Sequence, residues 1–225
     1  MNLYFKEYTK LYNEKKKKDI LYTPNYSIFS SLKFTRPEEQ LHSPFIFHLL
    51  NPEGDHKQQD EFYKLFINSI LRNEISENFI NSDFKDYYFK LEQKTSSKIG
   101  DGRIDIFIKS KNKNKPFAII FELKWNSPDS SADQIYKYYL SIKESKEFHD
   151  DNILMIYLTK HGQNPKLVRR NKYKNLINNY NNRNFINISY EKDILNWLNL
   201  CESNVQSEKV KSTIVQYRNF LNSNL

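Results

Sequence analysis

Two acidic residues stand in the middle of apolar, β-branched stretches of the sequence. Asp105 lies between two isoleucines, and Glu122 lies between a phenylalanine and a leucine. Aspartate and glutamate are depleted in strands, and a charge among apolar neighbours destabilises a fold by several kcal/mol unless another group compensates it. We therefore expect a compensating group close to both acids.

Lys124, two residues after Glu122, can supply part of that compensation. Side chains alternate between the two faces of a strand, so Glu122 and Lys124 point the same way, about 7 Å apart. If Asp105 shares that face, two carboxylates and one ammonium converge. Neighbouring carboxylates repel unless a cation lies between them, and hard oxygen ligands suit Mg²⁺. A lysine beside such an ion can orient a water, which is the chemistry of metal-assisted phosphodiester hydrolysis.

The elements that must position these residues are the apolar runs Ile104–Ile108 and Phe117–Trp125. The connection between them, Lys109–Pro116, is polar and rich in lysine. This pattern predicts an antiparallel hairpin with a long turn. The alternative is that Glu-x-Lys arises by chance in a lysine-rich chain and that both acids lie on a solvated face of the sheet.

At these positions the chain resembles the PD-(D/E)XK nuclease superfamily, whose core motif is an acid on one strand and Glu-x-Lys on the next. The matching residues are Asp105, Glu122 and Lys124, and Ile104 stands where the superfamily has its name-giving proline. The resemblance implies that Asp105, Glu122 and the backbone carbonyl of Leu123 bind Mg²⁺, with Mn²⁺ as a substitute. It also implies that Lys124 positions the attacking water.

A second part of the resemblance lies upstream, between Glu39 and His56. His-Ser, followed by Phe-Ile-x-x-Leu-Leu-Asn-Pro-x-Gly-x-His, is similar to the N-terminal region of one bacterial branch, in which a glutamate of the first helix joins the metal site. The spacing favours Glu39 as that acid and places Glu38 second, because Thr35 and Glu38 are spaced as a capping box. For Glu39 the alternative is a solvated acid favoured by the helix dipole. His42 and His56 are candidate phosphate contacts or structural partners.

A helix predicted over 132–148 follows the Glu-x-Lys strand. Gln134 and Tyr138 are four residues apart and share one of its faces. A Gln-x-x-x-Tyr helix follows Glu-x-Lys in the same branch, which implies that Gln134 points into the site and makes Tyr138 a further candidate. An amphipathic crossover helix with incidental polar residues is the alternative.

The remaining strands and helices follow from shorter patterns. Tyr87–Lys94 alternates as a first strand and Thr95–Asp101 reads as a loop, while the apolar run Ile153–Leu158 predicts a buried parallel strand. Phe185–Ser189 is a short final strand, and two helices follow it, the first capped by Ser189. Together these patterns predict an α/β fold with a restriction-endonuclease-like core, a central mixed β-sheet flanked by helices on both faces.

Basic residues are concentrated between 160 and 174, interleaved with one histidine and one tyrosine. Such a mixture suits a nucleic-acid groove, and a solvated surface is the alternative. The four residues that we expect to contact nucleic acid are Lys166, Arg169, Arg170 and Lys172.

Length and composition limit the class of protein. The 225 residues suit a single domain, 1–225, in which 1–34 form an N-terminal helical extension. No apolar run is long enough to cross a membrane, and the single cysteine excludes an intramolecular disulfide and a cysteine-rich zinc site. We expect a cytoplasmic protein. The net charge of +8 favours a polyanionic partner, although a lysine-rich composition alone would produce it.

The expected function is a divalent-metal-dependent nuclease that acts on DNA rather than RNA. The resemblance suggests a role in restriction, repair or anti-phage defence. Cleavage of RNA and a catalytically inactive nucleic-acid-binding module of the same fold remain alternatives. A homodimer or a partner protein is compatible with the sequence.

Overall fold

The computed structural model describes residues 2–22, 27–71, 76–98, 100–126, 132–165 and 185–225. Within these residues one mixed sheet has five strands, whose order across the sheet is their order along the chain. The strands are β1 (Tyr87–Ser97), β2 (Gly100–Ser110), β3 (Ala118–Lys124), β4 (Ile153–Thr159) and β5 (Phe185–Ser189). The pairs β1–β2 and β2–β3 are antiparallel, and the pairs β3–β4 and β4–β5 are parallel.

The apolar, β-branched runs form the strands that the sequence predicts. Every residue of β4 is buried, as expected for a central strand of a parallel sheet covered on both faces. The prediction for Thr95–Asp101 is wrong, because these residues extend a hairpin rather than form a loop. Ser97 pairs with Gly100, whose φ of +120° only glycine adopts readily, so the pairing of β1 with β2 continues through most of the expected loop.

Seven α-helices lie in the described part of the chain. Four of them precede the sheet: α1 (Asn2–Tyr22), α2 (Ile28–Ser31), α3 (Ser43–Leu50) and α4 (Glu61–Ile70). The other three are α5 (Ala132–Glu144), between β3 and β4, and α6 (Leu195–Asn204) and α7 (Glu208–Asn224), after β5. A single π-helical turn precedes two of these helices: Glu38–His42 lies before α3, and Tyr190–Ile194 lies before α6.

Alternate residues of β3 point into two separate cores. Ile119, Phe121 and Leu123 pack in a core that also contains buried residues of α3, α4, α6 and α7. Trp197 and the chain's single cysteine, Cys201, are fully buried in this first core. On the opposite face, a smaller core joins the strands to α5; it contains Ile104, Phe107, Ala118, Ile120, Ile135, Tyr138, Tyr139, Ile142, Phe148, Ile153, Met155 and Tyr157. Helices therefore flank both faces, and the predicted fold class is confirmed.

The N-terminal residues contain two helices of very different length. Helix α1 has 21 residues, whereas α2 is a single turn of four. Ser27 caps that turn by accepting a hydrogen bond from the Phe29 N–H. The side chains of residues 4–18 are all exposed. No helix of the described residues is long and apolar enough to span a membrane.

Candidate active site

The hairpin of β2 and β3 opens at one end. The two strands pair only from Ile106 to Lys109, against Ala118 to Phe121. Past this point the Leu123 N–H donates a hydrogen bond of 2.7 Å to Asp105 Oδ2, so a carboxylate replaces the neighbouring strand as acceptor. The strand β3 keeps its pairing to β4 as far as Lys124. The opening therefore places the Asp105 side chain between the two strands.

Lys124 lies between two glutamates at this opening. Its Nζ is 2.7 Å from Glu122 Oε1 and 3.4 Å from Glu38 Oε1. The Glu122 side chain is buried, with only 1% of the residue's surface exposed. Asp105, Glu38 and Lys124 line a cavity of about 470 Å³, and the buried Glu122 forms an ion pair with Lys124.

The two core acids carry raised pKa values. Burial raises the pKa of Asp105 to about 6, against the lowering effects of the Leu123 N–H and Lys124. Burial also raises the pKa of Glu122 to about 8, and the negative charge of Asp105 adds to this shift. For Lys124, burial disfavours the charged form, but the carboxylate of Glu122 outweighs it and raises the pKa. The site thus concentrates more negative charge than one ammonium neutralises.

Glu38, rather than Glu39, reaches the core acids. Its Oε2 accepts a hydrogen bond of 2.7 Å from the Trp125 N–H, which fixes the carboxylate beside Lys124. Glu39 is 40% exposed and pairs instead with Arg36 and Arg103, at 3.5 and 3.4 Å. Both glutamates line the cavity, but the geometry favours Glu38 as the acid of the site.

The predicted capping box at Thr35 is wrong, and this explains the preference for Glu39 in the sequence analysis. The carboxylate of Glu38 is bound to β3, so it does not cap the helix, and Gln40 Oε1 accepts the Arg36 N–H at 3.0 Å. The helical segment begins as a π turn, Glu38–His42.

Gln134 and Tyr138 lie on the wall formed by α5. The Tyr138 hydroxyl donates a hydrogen bond of 2.6 Å to the Arg103 carbonyl and accepts one of 2.6 Å from Gln134 Nε2. The backbone of Gly102 lies against the tyrosine ring, and a Cβ at this position would be 2.5 Å from Tyr138 Cε1. Burial raises the pKa of Tyr138 to about 12, so the hydroxyl keeps its proton. Both residues line the cavity, and together they fix the end of β2 that carries Asp105.

Similarity to known proteins shows the family of the chain. The sequence profile of the PD-(D/E)XK nuclease superfamily matches residues 26–219. The chain belongs to the PD-(D/E)XK nuclease superfamily. No curated protein matches it. The crystal structure of a protein of unknown function, AF1548, aligns with 14% identity and a TM-score of 0.31, over 68% of this chain and 78% of that one.

The two candidate histidines lie away from the cavity of this PD-(D/E)XK protein. His42 stacks on Trp125, with 3.9 Å between ring centroids, and its Nδ1 is 2.7 Å from the Tyr217 hydroxyl. Burial, followed by the charge of Lys160, lowers the pKa of His42 to about 3, so the ring is neutral. His56 Nε2 bonds to the Asn51 carbonyl within the same turn. The geometry gives both histidines structural partners rather than a place in the cavity.

The expected nucleic-acid contacts Lys166, Arg169, Arg170 and Lys172 lie outside the described residues. Two other basic residues, Arg103 and Lys137, line the cavity and were missed in the sequence analysis. Strand alternation from Asp105 points to Arg103, and Lys137 follows Gln134 by three positions on α5. Both signals were present in the sequence, but they did not distinguish Arg103 and Lys137 from the many other basic residues of this chain.

The residues at the opening fit a divalent cation. Among the described residues, the buried Glu122 Oε2 has no hydrogen-bond partner, which is costly for a carboxylate oxygen unless a cation binds it. Carboxylates and a backbone carbonyl are the hard oxygen ligands that Mg²⁺ and Mn²⁺ prefer. Within the described ranges, no three His, Cys, Asp or Glu side chains already form a metal cluster. Lys124 bridges Glu38 and Glu122, so the ammonium supplies the positive charge between these acids.

Proposed function

We propose that the protein is a nuclease that hydrolyses phosphodiester bonds with the help of Mg²⁺, and that DNA is its substrate. The observation that carries the proposal is the buried Glu122, with one unpartnered oxygen, facing Asp105 and Lys124 where β2 and β3 separate. Membership of the PD-(D/E)XK superfamily supports a nuclease, and the net charge of +8 supports a polyanionic substrate. We further propose that the chain acts as one domain in the cytoplasm, in restriction, repair or defence.

Asp105, Glu122 and the Leu123 carbonyl would hold the metal, with Glu38 close by. A bound Mg²⁺ would polarise the scissile phosphate and lower the pKa of a water. The chain's own residues prepare this chemistry. The Leu123 N–H fixes the Asp105 carboxylate, and the Trp125 N–H fixes Glu38.

Lys124 is the residue that we propose to orient the attacking water. Its ammonium, held between Glu38 and Glu122, stays protonated because both carboxylates stabilise the charge. A protonated lysine can donate hydrogen bonds to a water and to the charge that develops on the phosphate, which lowers the barrier. It cannot remove the proton of the water while it remains charged.

The test is cleavage of supercoiled plasmid and of structured RNA with Mg²⁺, Mn²⁺ or EDTA. We expect wild-type protein to cut the plasmid only with metal, and Asp105→Asn, Glu122→Gln and Lys124→Gln each to lower kcat by at least about 100-fold. Double variants should lose little more than single ones, because the three residues act as one unit. Glu147→Gln removes an exposed carboxylate outside the cavity and serves as the control.

Each alternative has its own outcome in this experiment. Metal-dependent cleavage of the RNA but not of the plasmid would show that the substrate is RNA rather than DNA. Binding without cleavage under any metal condition would favour the inactive nucleic-acid-binding module. Cleavage that persists in EDTA and in Asp105→Asn would contradict the proposed site.

A further inference from the structure

Two basic side chains lie at the mouth of the candidate catalytic cavity. Arg103 and Lys137 line it together with Asp105 and Lys124. Arg103 precedes Asp105 by two residues on β2, and both line the cavity. Lys137 comes from α5. A ligand in the cavity therefore meets two cations besides Lys124.

Arg103 is held by two carboxylates that come from different elements. Its Nη2 is 3.4 Å from Glu39 Oε1, and its Nη1 is 3.3 Å from Glu92 Oε2. All three side chains are between 40% and 48% exposed. Exposed ion pairs of this kind contribute little to stability, so another anion can displace them at low cost. Two carboxylates on one guanidinium mimic the two oxygens that a phosphate presents to arginine.

The backbone of Glu92 is unusual at this point. Its φ is +53°, in the left-handed region that residues other than glycine rarely adopt. The β1–β2 register joins Leu91 to Ile106 and Gln93 to Ile104, and the pairing is interrupted at Glu92 and Asp105. The irregular backbone therefore lies across from Asp105, and the Glu92 side chain is one of the two that reach Arg103. Strain of this kind is concentrated at functional sites.

Lys137 has a different environment. Its Nζ donates a hydrogen bond of 2.9 Å to the Asp101 carbonyl, a neutral acceptor. No ion pair joins it to a carboxylate of the described residues. Its charge is thus available to an anion at the cavity mouth.

We propose that Arg103 and Lys137 form a binding subsite for a backbone phosphate of the nucleic acid, and that Glu39 and Glu92 occupy Arg103 until a phosphate displaces them. This proposal rests on the proposed function, since the nuclease substrate supplies the phosphate. It assigns Glu39 to the control of substrate binding, whereas the sequence analysis placed it among the metal ligands.

The test is binding of a fluorescein-labelled DNA oligonucleotide in EDTA, where cleavage cannot interfere, across a series of salt concentrations. We expect Arg103→Gln and Lys137→Gln each to weaken binding about 5- to 10-fold and to reduce the salt slope by about one. Arg103→Lys should lie between wild type and Arg103→Gln, because it keeps the charge and loses the bidentate geometry. Glu39→Gln and Glu92→Gln should tighten binding by roughly 2- to 5-fold, since the competing carboxylate is lost.

The ion pair between Lys109 and Glu147, 2.8 Å long and also based on β2, provides matched controls. Lys109→Gln and Glu147→Gln change the net charge by the same amounts but lie outside the cavity, so we expect less than about 2-fold change in affinity. Equal tightening by Glu39→Gln and Glu147→Gln would overturn the proposal in favour of a general charge effect. Unchanged binding by Arg103→Gln, with a wild-type melting temperature, would also overturn it.

Cleavage assays separate this proposal from the proposed function. A wild-type protein that binds DNA through Arg103 in EDTA but cuts neither plasmid nor RNA would contradict the nuclease and leave the subsite standing. Cleavage with normal affinity in Arg103→Gln and Lys137→Gln would overturn the subsite alone. If Glu39→Gln abolishes the stabilisation by Mg²⁺, Glu39 is a metal ligand and the proposal is wrong.

Discussion

Two buried carboxyls, those of Glu122 and Asp105, make the stability of the fold depend on pH. Its pKa is raised from 4.5 to about 8, and that of Asp105 from 3.8 to about 6. The folded state therefore holds protons that the unfolded chain releases. Stability without metal should fall as the pH rises from about 4 to about 8 and should change little above that range.

We expect this fall in stability to amount to several kcal/mol, and Asp105→Asn and Glu122→Gln each to reduce it. Bound Mg²⁺ should oppose the fall, because the deprotonated carboxylates are the forms that bind metal. Urea denaturation at several pH values, in EDTA and in Mg²⁺, measures both effects. A wild-type curve in EDTA that is flat over this range would contradict the buried charges.

The neighbours Glu38 and Glu39 should behave differently on loss of charge. Glu38→Gln can still accept the Trp125 N–H but no longer pairs with Lys124, so we expect kcat to fall by about 10- to 100-fold with little change in fold. Glu39→Gln should keep kcat, because among the described residues Glu39 pairs with Arg36 and Arg103 rather than with Lys124. Single-turnover cleavage at saturating DNA compares the two variants. A larger loss of rate in Glu39→Gln than in Glu38→Gln would favour Glu39 as the acid of the active site.

At the scale of elements, α5 packs closely against the end of β2 because Gly102 has no side chain. A Cβ there would meet Tyr138 Cε1 at 2.5 Å, so Gly102→Ala should destabilise the protein by about 1–3 kcal/mol through overpacking. Tyr138→Leu removes both the clash and the hydrogen bond to the Arg103 carbonyl.

A double-mutant cycle on Gly102→Ala and Tyr138→Leu tests this contact. Because alanine should be tolerated once the ring is absent, the double variant should be less destabilised than the sum of the single variants, by about 0.5–3 kcal/mol. Strictly additive unfolding free energies would show that the ring does not constrain Gly102.

Element by element, strands were easier to predict than the turns between them. The runs that became β3 and β4 are apolar and β-branched, so burial alone identifies them. The extension of the β1–β2 hairpin beyond Lys94 was missed because 95–101 is polar and largely unburied, and Gly100, where β2 begins, has a positive φ. In the same way, spacing singled out Asp105, Glu122 and Lys124, but the contacts of Glu38 with the Trp125 N–H and Lys124 are tertiary, and local sequence does not reveal them.

At the scale of the whole molecule, the basic segment should affect binding and not chemistry. Neutralising Lys166, Arg169 and Arg170 together should lower the salt slope of DNA binding by up to about three and leave kcat at saturating DNA nearly unchanged. Lys124→Gln should spare binding and lower kcat. Neutralising the exposed lysines Lys111, Lys113 and Lys146 is the matched control, and an equal loss of slope there would make the segment ordinary solvated surface.

The rate at which Cys201 is alkylated can measure how often the folded protein opens. The chain has no other cysteine, and burial raises the pKa of this thiol, so an alkylating reagent should modify it only in molecules that have opened. The residue lies in the core on the far side of the sheet from α5, away from the cavity. If opening and closing are fast, labelling slows tenfold for each 1.4 kcal/mol of added stability. Mass spectrometry of Cys201 alkylation over time would thus detect stabilisation by a metal ion that binds on the opposite face of the sheet. This measurement needs no substrate.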